Sequence, residues 1–417
     1  MQKYQLSNGL TVIEDPIADA QSFTILVIFR TGSRNETPDI WGISHFFEHM
    51  AFKGTPSFPS SELLSKELDS LGAMYNAFTG KEYTGYYIKG SKNVLDRAIN
   101  IISEMTLTPI VLETEVDKER GTIVEELNMS EDDPRRKIYD YFEECIYKNK
   151  QISQEIIGSK QSLAGIHAKQ IHEYHEKYYL AGNAVIAISG FVPTGMRDQL
   201  QAAFASMPTG ETSYLSELLE ERKKVNVYNK NTQQTHMALG FPGVDMRDEN
   251  RDTAQILSIL LGGNMSSRMF SEVREKRGLA YYVKTYSDNM ADAGCLVTFA
   301  GVNNEKVVDA VALILDVYRS VKGEIPADEL RRTKDYIIGI TTLMYEDSEQ
   351  RSETNAMTQL YGLDYRSLED KIAAVEAVTA EQVTKMANKL FDEEKLCLAL
   401  IGPYEDDSKF VKILEEK

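Results

Sequence analysis

Two histidines and a glutamate lie close together near the N-terminus, within GISHFFEHM at residues 42–50. Positions i, i+3 and i+4 share one face of a helix, so His45, Glu48 and His49 would point the same way. Two imidazoles at this spacing can bind one zinc ion with a carboxylate beside it, and the order His-x-x-Glu-His is the inverzincin pattern. The same residues would also suit an amphipathic structural helix, so the motif alone leaves both interpretations open.

A catalytic zinc site needs a third protein ligand, and the segment LETEVDKERGTIVEELNMSEDDP offers several glutamates. Its apolar stripe as a helix would consist of Val116, Ile123 and Leu127. At 100° per residue, Glu126 lies on the flank of this stripe and Glu119 on the same flank two turns earlier, whereas Glu125 lies nearly opposite. This geometry selects Glu126 as the ligand and Glu119 as its supporting partner. The alternative is that both are ordinary surface glutamates of a charged helix.

Composition restricts the class of protein. The chain has 417 residues, of which 42% are hydrophobic and 26% charged, as in a globular protein with two or more domains. The net charge of −18 argues against a nucleic-acid partner. No apolar run reaches membrane-spanning length, the N-terminus has no signal-peptide character, and three dispersed cysteines favour a reducing compartment. We therefore expect a cytoplasmic protein without a membrane or nucleic-acid partner.

The elements that would position these residues are grouped in runs rather than strictly alternating, which favours an α+β fold. The sequence predicts an N-terminal hairpin with a type I′ turn at Asn8–Gly9. It also predicts a helix over 42–53, a strand pair over 73–90, and helices at about 93–106 and 113–130.

Two distant segments of the chain resemble each other, which predicts a duplication. HAKQIHEYHEKYYLAGNAVIAISG and TAEQVTKMANKLFDEEKLCLALIG both combine a helix with an apolar strand. Identical residues recur at an offset of 212, namely Ala168 and Ala380, Gln170 and Gln382, and Gly190 and Gly402. We expect two homologous α/β sandwich-like halves with mostly antiparallel sheets. These would be a zinc-binding domain at 1–207 and a second domain at 225–417, joined by a polar linker at 208–224.

The segments TGSRNETPDIWGISHFFEHMAFKGT and ERGTIVEE resemble the pitrilysin (insulinase) type of zinc metallopeptidase, in particular its short, processing-peptidase-like members. In that family a glutamate 76–77 residues beyond the motif is the third ligand, and another glutamate precedes it by seven. Glu126 and Glu119 fit, although Glu125 falls within the same interval. The resemblance implies one zinc ion per chain, held by His45, His49 and Glu126, with Glu48 as general base.

The resemblance continues beyond the zinc motif. GAMYNAFTGKEYTGYYI is similar to the family's substrate-edge strand, with Asn76 and Ala77 at its Asn-Ala pair. SSRMFSEVREKRGLAYYV is similar to its second-half signature, which implies that Arg274 binds a substrate carbonyl and Tyr281 stabilises the oxyanion. Without the family context, the last two would be a basic helix end and a core aromatic residue.

The implied function is zinc-dependent hydrolysis of peptides or unfolded polypeptide segments in a chamber between the two halves, by a homodimer. One alternative is a non-catalytic scaffold subunit, as in the core subunits of a respiratory complex. Another is a peptidase that requires a non-identical partner. His172 and His175 lack further ligands, and we expect them on a solvated helix face rather than at a second metal site.

Overall fold

Two β-sheets carry the fold in the computed structural model, which describes residues 1–147, 150–213 and 224–415. The first sheet contains β1 (Gln2–Gln5), β2 (Thr11–Pro16), β3 (Ser22–Phe29), β4 (Met74–Thr79), β5 (Thr84–Ser91) and β6 (Ala184–Gly190). The second sheet contains β7 (Val225–Asn229), β8 (Gln234–Pro242), β9 (Ala280–Asn289), β10 (Gly294–Asn303) and β11 (Cys397–Gly402).

Helices make up most of the remaining described chain. In the first half they are α1 (Ile43–Met50), α2 (Ser61–Ser70), α3 (Leu95–Leu107), α4 (Glu113–Asp132), α5 (Pro134–Ile146), α6 (Lys150–Ser153), α7 (Lys160–Gly165), α8 (Ala168–Tyr178) and α9 (Met196–Ala203). In the second half they are α10 (Arg251–Gly262), α11 (Val307–Ser320), α12 (Ala327–Glu346), α13 (Ser348–Leu360), α14 (Leu368–Ala377), α15 (Ala380–Leu390) and α16 (Ser408–Glu415). A π-helix at Phe270–Lys276 was not predicted from the sequence.

The strand orders are β1-β2-β6-β3-β5-β4 in the first sheet and β7-β11-β8-β10-β9 in the second. Each sheet has one parallel pair, β2 with β6 and β7 with β11, and its other pairs are antiparallel. The predicted α+β class with two homologous, mostly antiparallel halves is therefore confirmed.

The chain divides into two compact units that exchange segments. The first comprises Met1–Asn128, Gln154–Ser216 and Leu343–Tyr365, and the second comprises Met129–Ser153, Glu217–Thr342 and Arg366–Lys417. Helix α13 thus belongs to the first unit and α5 to the second. The contiguous boundaries expected from the sequence did not include this exchange, and they remain a prediction.

Each sheet of the fold is covered by helices on both faces. In the first unit, α1, α3 and α8 share one core with β3 and β5, and α13 packs on the opposite face of the sheet. In the second unit, α10 and α11 share one core with the sheet, and α5 packs on the opposite face. Burial on both faces explains the continuous apolar run SFTILVIF of β3, seven of whose eight residues are buried.

Two local expectations concern loops. The N-terminal hairpin is present, with Gly9 left-handed at φ +88°, but its predicted type I′ turn is wrong because Asn8 lacks the positive φ that this turn needs. The Asn8 side-chain amide instead donates to the Phe204 carbonyl at 2.9 Å, which fixes the loop.

Of the predicted linker, 208–213 and 224 are described, and 214–223 lie outside the described residues. Within the described chain, no helix combines the length and apolar character that crossing a bilayer requires.

Candidate metal centre

Helix α1 carries the His-x-x-Glu-His motif and is fixed at its N-terminus. The backbone N–H groups of Gly42 and Ser44 donate to the Glu36 carboxylate at 2.7 and 2.8 Å. A buried acidic cap satisfies donors that the first turn of a helix leaves free. Burial raises the pKa of Glu36 to about 7, although these hydrogen bonds oppose the shift. The apolar face of α1, including Phe46 and Phe47, is fully buried.

Helix α8 packs against helix α1. The imidazole of His175 stacks on Phe47 with ring centroids 5.0 Å apart, and its Nε2 donates to the Thr106 carbonyl at 2.8 Å. The expectation that His175 lies on a solvated face is therefore wrong, because its ring packs under α1. His172 is exposed, as expected.

The two motif histidines and one glutamate of α4 come together. Glu126 Oε2 lies 3.7 Å from His45 Nε2 and 3.6 Å from His49 Nε2. The ligand atoms of the three residues lie within 4.8 Å of one another, and no other such group of three His, Cys, Asp or Glu residues occurs among those described. Tetrahedral ligands about 2.0–2.1 Å from zinc would be about 3.3 Å apart, so the spacing suits this metal.

Glu119, two turns before Glu126, supports the second histidine. Its carboxylate bonds His49 Nδ1 at 2.8 Å and forms an ion pair with Lys53. Burial alone would raise the pKa of Glu119, but the hydrogen bonds from His49 and Lys53 outweigh it and hold that pKa below its ordinary value. A carboxylate on Nδ1 leaves Nε2 as the free nitrogen, which is the usual arrangement behind a metal-binding histidine.

The environment of His45 differs from that of His49. The His45 side chain is only 12% exposed, and its buried Nδ1 has no hydrogen-bond partner among the described residues. Burial, followed by repulsion from His49, lowers the pKa of His45 to about 3. The imidazole is therefore neutral at pH 7, which is the form that binds a metal ion.

Glu48 lies on the same helix, and its carboxylate is hydrogen-bonded to strand β4. Its carboxylate accepts a hydrogen bond from the hydroxyl of Thr79 in β4. Burial raises the pKa of Glu48, and the Thr79 hydrogen bond opposes that shift. Sequence reasoning missed Thr79. The signal was present, because residues two apart in a strand share a face and Thr79 follows Ala77 at that interval.

Strand β4 is the free edge of the first sheet, and it contains Asn76 and Ala77. Ala77 is buried in the core shared with α1, so it lies on the same face as Thr79. Asn76 alternates to the opposite face, towards α13. The predicted substrate-binding pair is therefore divided between the two faces of the edge strand.

Arg274 and Tyr281 belong to the second unit. Arg274 lies in the π-helix, with its guanidinium 4.8 Å from the centre of the Phe270 ring. Single π-turns occur often at functional sites. The Tyr281 side chain on β9 is 69% exposed, so the alternative that it is a core aromatic residue is wrong.

The residues present fit a zinc ion. Two imidazoles whose Nε2 atoms lie near Glu126, together with its carboxylate, are a donor set that zinc accepts, and a tetrahedral ion would keep one position open. The group contains Glu126 and not Glu125. This fit supports the predicted metal ligands, whose roles remain predictions.

Comparisons with known proteins found matching family models and relatives of similar length. Residues 12–160 match the family model described as "Insulinase (Peptidase family M16)", and residues 165–337 match the one described as "Peptidase M16 inactive domain". An uncharacterized zinc protease of Bacillus subtilis, YmxG, is 31% identical over 404 residues, which cover 97% of this chain and 98% of that protein.

Two solved structures show the same fold at lower identity. The structure of a protease from Helicobacter pylori has a TM-score of 0.89 at 24% identity, covering 96% of this chain and 99% of its own. A chain of complex III2 from Candida albicans has a TM-score of 0.82 at 17% identity, covering 100% of this chain and 99% of its own.

Proposed function

Because this chain belongs to the insulinase (M16) family of peptidases, we propose that it is a zinc-dependent endopeptidase that hydrolyses peptides or unfolded polypeptide segments. The observation that carries the proposal is the convergence of His45 Nε2, His49 Nε2 and Glu126 Oε2, with Glu48 on the same helix. The relatives named zinc proteases support zinc as the metal, at one ion per chain.

In this proposal, three side chains hold the metal ion and a fourth transfers a proton. His45, His49 and Glu126 would hold zinc, which when bound supplies Lewis acidity that acidifies water and polarises a carbonyl group. Glu48 would accept a proton from the attacking water and deliver it to the leaving amine nitrogen. Its raised pKa suits both transfers, since a general base works best with a pKa near the operating pH.

Two further residues would position these groups. The Thr79 hydroxyl donates to the Glu48 carboxylate and would orient this glutamate, which is not in the metal-ligand group, as a base. The Glu119 carboxylate holds His49 in the tautomer whose Nε2 is free, and Lys53 in turn holds Glu119.

Substrate would bind by adding a strand to β4, whose outer backbone groups are not paired within the first sheet. In this proposal, Arg274 binds a substrate carbonyl and Tyr281 donates a hydrogen bond to the oxyanion. Hydrolysis in a chamber between the two halves, a cytoplasmic location and a homodimer belong to the same proposal.

The scaffold alternative draws support from the fold shared with the complex III2 chain. Against it, every residue that the zinc and base roles require is present here, whereas a pure scaffold has no need of them. Hydrolysis by the purified chain alone would also exclude an obligatory non-identical partner, and size-exclusion chromatography with mass measurement would establish whether it is a homodimer.

The test is incubation of the purified, zinc-loaded chain with a peptide mixture, with and without chelator, read by mass spectrometry. We expect internal cleavages that disappear with chelator and return with zinc. Glu48→Gln should retain zinc and lose at least about 100-fold in turnover, the range for a lost general base. An intact peptide mixture, or near-normal turnover by Glu48→Gln, would contradict the proposal.

A further inference from the structure

A cavity of about 230 Å³ adjoins the edge strand on the face of the first sheet opposite α1. Its walls include Asn76 and Phe78 of β4, Tyr87 of β5, and Glu349 and Glu353 of α13. The side chains of β4 alternate, so Thr79 bonds Glu48 on one face while Phe78 packs towards α13 on the other. The cavity is therefore separate from the zinc ligands but shares the same edge strand.

The charges around the cavity do not balance. Lys89 Nζ lies 2.9 Å from the Asp347 carboxylate and 3.6 Å from Glu349, so one cation serves two anions. Glu353 has no ion pair or hydrogen bond with any described residue. Burial, followed by the nearby Glu349 charge, raises the pKa of Glu353, as expected for a carboxylate without a cation. The cavity thus contains a carboxyl group, that of Glu353, with no cation beside it.

The shape and lining of the cavity favour one kind of occupant. Phe78, Tyr87 and Leu26 provide apolar and aromatic walls, and the carboxylates lie on α13. A long side chain with an apolar stem and a cationic head matches both features, because aromatic faces attract cations and carboxylates bind them directly. A metal ion is a poorer match, because among the described residues Glu349 and Glu353 belong to no group of three His, Cys, Asp or Glu side chains with converging ligand atoms.

We propose that this cavity binds a lysine or arginine side chain of a peptide that adds as a strand to β4, with Glu353 as the residue that selects it. The inference rests on the proposed peptidase function, which it deepens by naming a substrate class. In an added strand, alternate side chains point to opposite faces. Only every second substrate position can therefore reach the cavity, while the positions between face α1.

The experiment uses the full chain and a peptide that it cleaves. Each position around the scissile bond is replaced in turn by lysine, by uncharged norleucine of similar length, or by glutamate, and kcat/KM is measured. We expect one position, or positions two apart, at which lysine exceeds norleucine at least tenfold. Glu353→Gln should lower that ratio at least fivefold, chiefly through KM, and Glu353→Lys should favour glutamate at the same position.

The matched control is Glu346→Gln, which removes the same charge from an exposed side chain that does not line the cavity. It should keep both the rates and the lysine-to-norleucine ratio of the parent chain. Thermal unfolding of each variant reports whether it is folded, and Glu353→Gln is close to isosteric with the parent residue.

The possible outcomes distinguish this inference from the proposed peptidase function on which it rests. A chain that cleaves none of the peptides contradicts the peptidase function itself. Cleavage with a ratio near one at every position, or a ratio unchanged by Glu353→Gln, contradicts only the role of the cavity. Calcium binding that is lost in Glu353→Gln would also contradict it, because the carboxylates would then hold a metal ion.

Discussion

The two halves of the chain share a scaffold and differ in the side chains placed on it. Without β1, the order β2-β6-β3-β5-β4 repeats as β7-β11-β8-β10-β9, with the parallel pair at the same place. Helices α8 and α15 begin 212 residues apart, at Ala168 and Ala380, and in both a glutamine side chain of the first turn accepts from the backbone N–H just before the helix. Strands β6 and β11 end 212 residues apart, at Gly190 and Gly402.

The two halves differ in the side chains at the positions of the metal centre. Helix α10 follows β8 as α1 follows β3, but it buries residues such as Ile256 and Leu257 and contains no histidine. Helices α4 and α12 both have 20 residues, and Ile340 occupies the place of Glu126. The second half contains one histidine, His236, and the family model described as inactive matches residues 165–337, which include part of this half. Among the described residues, the shared scaffold therefore carries the candidate metal ligands in the first half only.

The strongest test of this contrast concerns the third ligand. Glu126→Gln replaces an anionic ligand by a neutral amide, and we expect zinc affinity to fall by more than about 100-fold, beyond the loss typical of a ligand's hydrogen-bond partner. Competition with a chelating dye measures it. Glu125→Gln removes the same charge one residue away and should bind zinc normally. The reverse order would move the ligand by one residue.

A second test asks what the other half contributes. Tyr281→Phe removes one hydroxyl group, and turnover should fall about 100-fold, as when an oxyanion donor is lost, with zinc content unchanged. Tyr286→Phe removes a hydroxyl from another exposed tyrosine of β9 and serves as the control. Unaltered turnover by Tyr281→Phe would confine the chemistry to the first half.

A third test concerns the residue behind His49. Glu119→Gln replaces the anionic partner of His49 Nδ1, and zinc affinity should fall about 10–100-fold. Glu113→Gln is the control on the same helix, where Glu113 pairs with the exposed His167. Equal zinc affinity in the two variants would show that the Glu119 contact does not support the metal centre.

The smallest expected effect concerns the position of the base. Thr79→Val keeps the shape of the side chain but removes the hydrogen bond to Glu48, and kcat should fall about tenfold, since a hydrogen bond to a charged group contributes about 1.5–3 kcal/mol. Thr79→Ser should restore most of the rate. If both variants turn over equally, Thr79 does not position Glu48.

Helical periodicity and the internal repeat allowed much of this arrangement to be predicted from the sequence. The turn angle of 100° per residue placed Glu126 rather than Glu125 beside the motif, and the structure has the same order. The offset of 212 indicated two similar halves because equivalent helices and strands keep their caps and spacing.

The features that could not be predicted from the sequence depend on long-range packing. An amphipathic pattern shows that α5 and α13 bury one face, but it does not say which sheet they cover, and each packs on the sheet of the other half. Likewise, stacking on Phe47 decides the position of His175, and the carbonyl of Phe204 decides the conformation at Asn8. None of these partners lies within a local window of the sequence.

A zinc titration of the metal-free chain, with peptide hydrolysis measured at each step, tests the role of the metal centre most directly. We expect no hydrolysis without metal and a linear rise that ends at one zinc ion per chain. A chain carrying His45→Asn should show no comparable rise. Full hydrolysis by metal-free protein, or normal titration of that variant, would contradict the proposed role of zinc.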